Sequence, residues 1–128
     1  MVNIIIVAHN EIAKGFVHCI KNIIDTPIDY LHTFSIKNSE KNIEDLLLQV
    51  KDFVNNIAVN SEVLILVDLY GATPSNIASQ LASKDKIEVI TGLNLPMLIR
   101  AISYAKNGLK ICVNKALEGA KSGIMHIV

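Results

Sequence analysis

Two stretches of this chain combine residue types that suit group transfer: His9-Asn10-Glu11, and Asp68 with Gly71-Ala72-Thr73-Pro74 close behind it. An imidazole is both a nucleophile and a base near neutral pH. A carboxylate that accepts a hydrogen bond from one ring nitrogen sets the tautomer and leaves the other nitrogen's lone pair facing outward. Such a nitrogen attacks phosphorus or abstracts a proton. Backbone N–H groups at a helix N-terminus are unpaired and lie at the positive end of the helix dipole, so a turn such as Gly71-Ala72-Thr73 suits an anion. The Thr73 hydroxyl adds a further donor.

Each residue also has a plainer role. By position alone, His9 is equally a loop histidine capping the next helix. Asp68 alone is more commonly a residue that satisfies turn amides, and the turn before Thr73-Pro74 is also simply a well-capped helix start. His18 falls on the polar side of the first helix and reads as solvated. His32 alternates with apolar residues and reads as a half-buried, satisfied side chain. His126 has no recognisable partner. The four histidines and two cysteines match no zinc spacing, and no Walker or dinucleotide fingerprint occurs, so neither a metal nor a cofactor is expected.

The elements that must position these residues follow from periodicity. Short apolar runs alternate with helical segments, which points to an α/β fold. Val2 to Ala8 is a continuous, largely β-branched run, as in a parallel strand buried on both faces. Ile12, Phe16, Ile20, Ile23 and Ile24 recur at helical spacing, predicting a helix to about Asp25 before Thr26-Pro27. Ile28 to Ile36 reads as a second strand, with Ile28, Tyr30, His32, Phe34 and Ile36 on one face. Asn38-Ser39 is the expected cap of a helix whose apolar face carries Ile43, Leu46, Leu47, Val50, Val54 and Ile57. Val63 to Val67 is a third strand, ending at Asp68. Thr73-Pro74 opens a helix to about Ser83. Ile87 to Thr91 is a fourth strand, Gly92 to Pro96 a turn, and a further helix runs to Asn107-Gly108. Leu109 to Ala120 keeps a helical period, Ser122-Gly123 ends it, and Ile124 to Val128 is expected to be a last short strand. Residues 1–128 therefore read as a single doubly wound domain. Its expected core is a mainly parallel four-stranded sheet plus the short C-terminal strand, with helices on both faces. Ligands of such sheets bind beyond the carboxyl ends of the strands, where strand order reverses. In the common flavodoxin-like order the first and third strands are neighbours, which would bring His9 and Asp68 face to face.

Composition narrows the function. Twelve basic and twelve acidic residues give zero formal charge, with no electrostatic footprint for nucleic acid or an anionic membrane. The apolar runs are far shorter than the roughly 20 residues of a membrane span, and the N-terminus carries no basic segment ahead of an apolar one. A cytoplasmic protein is the expectation. Cys19 and Cys112 both fall at apolar helical positions and read as buried free thiols rather than a disulfide.

Three segments together resemble one family. IIIVAHNEIAKGF is similar to the opening of mannose-family enzyme IIA domains of the sugar phosphotransferase system; VLILVDLYGATPSNIAS resembles their second hallmark, and VITGLNLPMLIRAI their third. The resemblance covers essentially the whole chain, in order. It implies that His9 is the histidine phosphorylated at Nε2, and that Asp68 holds its other ring nitrogen. It also implies that Thr73, with the amides of Ala72 and Thr73 in the turn opened by Gly71, receives the phosphoryl oxygens. The implied donor is the histidine-containing phosphocarrier protein. The implied acceptor is an enzyme IIB, which phosphorylates sugar entering through a membrane permease, and the implied state is a homodimer whose last strand pairs across the interface. Asn10 and Ala72 stand where the family usually has glycine. Three alternatives remain open: a regulatory phosphocarrier, a phosphodonor for dihydroxyacetone kinase, and a small-molecule-binding α/β domain in which His9 is never modified.

Overall fold

A computed structural model describes residues 1–37, 42–69, 73–83 and 86–128, the side chains of residues 73–75 excepted. In chain order the elements are β1 (Asn3–His9), α1 (Ile12–Ile23), β2 (Leu31–Ile36), α2 (Ile43–Ala58) and β3 (Val63–Val67). They continue as α3 (Thr73–Ser79), β4 (Ile87–Thr91), α4 (Leu95–Ser103), a 3-10 turn (Ala105–Asn107) and α5 (Leu109–Ser122). The four strands form one parallel sheet in the order β2-β1-β3-β4. The chain leaves β1 toward one edge to make β2, then crosses back over β1 to make β3. The order therefore reverses between β1 and β3, and their carboxyl ends define the switch point.

Alternation along the central strands builds two apolar layers. Ile4, Ile6, Ala8, Leu64 and Leu66 face α1, α4 and α5. Ile5, Val7, Val63, Ile65 and Val67 face α2 and α3. All ten are fully buried, which is why β1 and β3 read as unbroken apolar runs rather than alternating ones. Each of these side chains except that of Ala8 contributes about 1.5–3 kcal/mol on leaving water.

Several elements differ from their sequence-based limits. β2 begins at Leu31 rather than Ile28, because Pro27 and the turn at Asp29-Tyr30 precede its pairing with β1, which starts at Ile4↔Leu31. Ile28 and Tyr30 consequently pack on the α1 side, opposite Phe34 and Ile36. In α1 the core face carries Ala13, Phe16, Val17 and Ile20, continued by Ile24 just past its end, whereas Ile12 and Ile23 are exposed. A small alanine takes the close-packed position that the larger isoleucine was expected to fill. Asn42 caps α2 by accepting from the Glu44 N–H at 2.9 Å, and the Asn38-Ser39 cap lies outside the described residues. α3 stops at Ser79, and Ser83 instead forms a bridge with Ile87. α4 gives way at Tyr104 to the 3-10 turn, which ends at Gly108 with φ of 89°. Cys112 is buried as expected, its thiol donating to the Ala101 carbonyl at 3.3 Å. Cys19 is exposed, a correction that follows from its place on α1 one residue before the inward-facing Ile20.

The tail is the largest departure. Residues 124–128 form no strand within the chain, and Ile124, Met125, Ile127 and Val128 are all strongly exposed. A strand requires a neighbour for its N–H and C=O groups, and no ladder pairs this segment among the described residues.

Candidate functional site

His9 is the last residue of β1, and Asp68 follows the last residue of β3. The parallel register sets Val7 beside Val67, so the next steps along both strands bring histidine and aspartate together at the switch point. His9 Nδ1 lies 2.8 Å from Asp68 Oδ2, and the His9 backbone N–H donates to the same oxygen at 3.1 Å. The pair is partly sheltered: the His9 side chain is 25% exposed and that of Asp68 11%. A carboxylate only accepts hydrogen bonds, so Nδ1 carries the proton in the neutral ring and Nε2 keeps its lone pair. Bonds to both the backbone and the ring of His9 hold the imidazole at a defined angle.

Asn10 sharpens the turn that leaves β1. Its φ is 47°, the left-handed region in which Asn is tolerated better than most residues. Its N–H donates to the Ile36 carbonyl at 2.9 Å, tying the turn to β2. That backbone angle is one that glycine adopts freely and asparagine tolerates. Glu11 precedes α1 without a side-chain cap bond. Its carboxylate reaches outward, 3.9 Å from Lys14 Nζ and 4.0 Å from Lys37 Nζ.

The remaining candidates distribute as follows. α3 begins at Thr73, while Gly71 and Ala72 lie outside the described residues and so does the Thr73 side chain. His18, on α1, and His126, in the C-terminal tail, are exposed. His32 is part of the fold's packing. Its Nε2 bonds Asn3 Oδ1 at 2.9 Å, its ring meets Phe53 edge-on, and burial pushes its pKa below the usual imidazole value. Among the described residues, no three His, Cys, Asp or Glu side chains converge as a metal site. Ile12, three residues after His9 in the chain, and Leu69, next to Asp68, are exposed, which the sequence reading did not anticipate. Ile12 was assigned to the core, and Leu69 to an unremarked turn.

With this geometry in place, the relatives of the chain become informative. Residues 3–117 match the family described as the PTS system fructose IIA component. A fructose-specific EIIA component from Bacillus subtilis (strain 168) is 33% identical over 66 residues, covering 51% of this chain and 45% of that protein. This chain thus spans under half the length of that relative. A sorbose-specific EIIA component from Lacticaseibacillus casei is 28% identical over 106 residues, covering 81% of this chain and 74% of the other. Among solved structures, the phosphotransferase system component EIIA from Streptococcus agalactiae superposes with a TM-score of 0.83 at 27% identity, covering 98% of this chain and 97% of that one. Matched over nearly its whole length, and with the family's four-stranded parallel sheet, the chain belongs to the mannose/fructose enzyme IIA family of the sugar phosphotransferase system.

Proposed function

We propose that this chain is a phosphocarrier in sugar uptake: His9 accepts a phosphoryl group from the phosphorylated histidine-containing phosphocarrier protein and passes it to an enzyme IIB. The observation that carries this reading is the 2.8 Å contact between His9 Nδ1 and Asp68 Oδ2, at the switch point of the sheet. It leaves Nε2 as the nucleophile.

In the transfer, the Nε2 lone pair forms the new N–P bond while the donor's N–P bond breaks and its electron pair returns to the donor ring. The His9 ring gains positive charge and keeps its Nδ1 proton, which the Asp68 carboxylate holds and stabilises. Passing the group to enzyme IIB reverses these changes on His9. Phosphoryl transfer of this kind asks for in-line positioning and neutralisation of the equatorial oxygens. The amides of Ala72 and Thr73, the Thr73 hydroxyl and the turn at Gly71 are the groups to which we assign that neutralisation. No helix among the described residues is long and apolar enough to cross a membrane; the reading places the carrier in the cytoplasm beside a separate permease. The exposed tail 124–128 supports a homodimer in which this segment finds its strand partner.

Intact-mass measurement after incubation with phosphoenolpyruvate, enzyme I and the phosphocarrier protein tests the reading. Wild type gains one acid-labile phosphate and His9→Ala gains none. Equal labelling of His9→Ala would overturn the assignment.

A further inference from the structure

Away from the strand ends, α1 and the edge strand β2 leave a cleft of about 350 Å³ between them. Lys14, His18 and Lys21 line it from α1 and Thr33 from β2, with Val17 and Leu31 as its apolar surface. Steps of four and three residues set the three basic side chains on one flank of the helix. A single exposed lysine is an ordinary solvated charge. Here, however, the charge is gathered on a concave surface and left without its counterpart. The chain as a whole is neutral, yet none of the six lining residues is acidic. Among the described residues no carboxylate forms an ion pair with His18 or Lys21, and Lys14 reaches only Glu11, at 3.9 Å. A smaller recess of about 80 Å³ shares Val17, Lys21 and Leu31 with the cleft and extends to Ile20, Pro27 and Ile28. Cationic donors beside an apolar surface are the composition of a site for a small molecule with an anionic head and a carbon body.

We infer that this cleft binds a small organic phosphate, with Lys14, His18, Lys21 and the Thr33 hydroxyl holding the phosphate and Val17 and Leu31 receiving the carbon body. Two ammonium groups, an imidazole N–H and a hydroxyl are four side chains that donate into one cavity. A phosphate monoester presents three oxygens and close to two negative charges to such a set, whereas a carboxylate presents two oxygens and one charge. The phosphate therefore uses the donors more fully. Neither His9 nor Asp68 lines the cleft or its recess, so the site is separate from the pair at the switch point. The inference goes beyond the phosphocarrier reading and does not depend on it, because the bound phosphate is held and not transferred.

The experiment follows the backbone amides of the full chain by NMR during titration with glucose 6-phosphate, glycerol 3-phosphate and phosphoenolpyruvate. Glucose and inorganic phosphate serve as controls for body and head alone. At least one of the three organic phosphates is expected to shift the amides of residues 14–21 and 31–33, with a Kd of about 1 mM or tighter. It binds at least about tenfold more tightly than either control. Lys14→Gln and Lys21→Gln each weaken that binding about tenfold. Lys51→Gln, at an exposed position on α2, leaves it at the wild-type value. The inference is overturned if none of the three binds, or if inorganic phosphate binds as tightly as the best of them. Shifts centred on residues 9–11 and 68–69 would overturn it too, by placing the anion at the strand ends. So would unchanged binding in both Lys14→Gln and Lys21→Gln, or an equal loss in Lys51→Gln. Labelling of His9 by the phosphocarrier protein is a separate measurement, and its failure would leave this binding result standing.

Discussion

In the proposed function, the contact between Asp68 and His9 sets the chemistry of the site. Oδ2 of Asp68 receives both the ring and the backbone N–H of His9, so Asp68→Asn keeps an acceptor for the amide but loses the charge that, in the proposed mechanism, stabilises the phosphorylated ring. Phosphoryl transfer through His9 is expected to slow about 10- to 100-fold, with the melting temperature close to wild type. Stopped-flow or quench measurement of labelling, beside thermal unfolding, checks both halves of that statement. The two cysteines provide a second contrast at this scale. Cys19 is exposed; burial, reinforced by Glu62, pushes the Cys112 thiol up to about 11. A maleimide at neutral pH is expected to modify Cys19 alone in the folded protein and both thiols in denaturant, as intact mass would reveal. Neither the exposure of Cys19 nor that of Ile12 was legible in the sequence. Helical spacing says which residues share a face, but a small residue such as Ala13 rotates the buried stripe by one position when it permits closer packing.

At the scale of elements, α4 and α5 are closely fitted. Asn94 caps α4 by accepting from the Met97 N–H at 2.9 Å, and its amide donates to the Ala120 carbonyl at 3.2 Å, joining the start of one helix to the end of the other. Asn94→Ala removes both bonds and is expected to cost about 1–2 kcal/mol, measured as a lower urea midpoint at unchanged m-value. Gly119 and Gly123 allow the same approach: a Cβ on Gly119 would meet the Arg100 side chain and sit 2.9 Å from the Pro96 carbonyl oxygen. The segment GLNLPM, read in sequence as a turn into a helix and as a family hallmark, is a helix start built around Asn94 and Pro96. Element type was legible for all four sheet strands and all five helices because their periods are clear. Ends were less so. β2, α3 and α4 are each shorter than their apolar patterns suggest, because pairing partners and turns, rather than hydropathy, decide where hydrogen bonding stops.

For the molecule as a whole, the exposed tail is the feature a single chain does not account for. Ile124, Met125, Ile127 and Val128 lie outside the sheet, and an apolar segment with unpaired backbone is a template for pairing with another chain. Light scattering is expected to give about twice the 14.0 kDa chain mass for the full chain and the monomer mass after deletion of residues 124–128. Monomeric full-length protein would refute the proposed dimer.

Sequence by itself determined the α/β class, the buried strands β1 and β3, and the placing of His9 and Asp68 at strand ends, since each depends on local period and on residue chemistry. The pairing of those two residues was different. It depended on β1 and β3 being neighbours, an order that only the fold decides, because strand adjacency is set by contacts between residues fifty-nine apart in the chain. Tertiary structure likewise decided that Ile12 and Leu69 are exposed, and that residues 124–128 join no ladder among the described residues. Exposure and pairing are properties of what lies opposite a residue, and no local pattern contains that information.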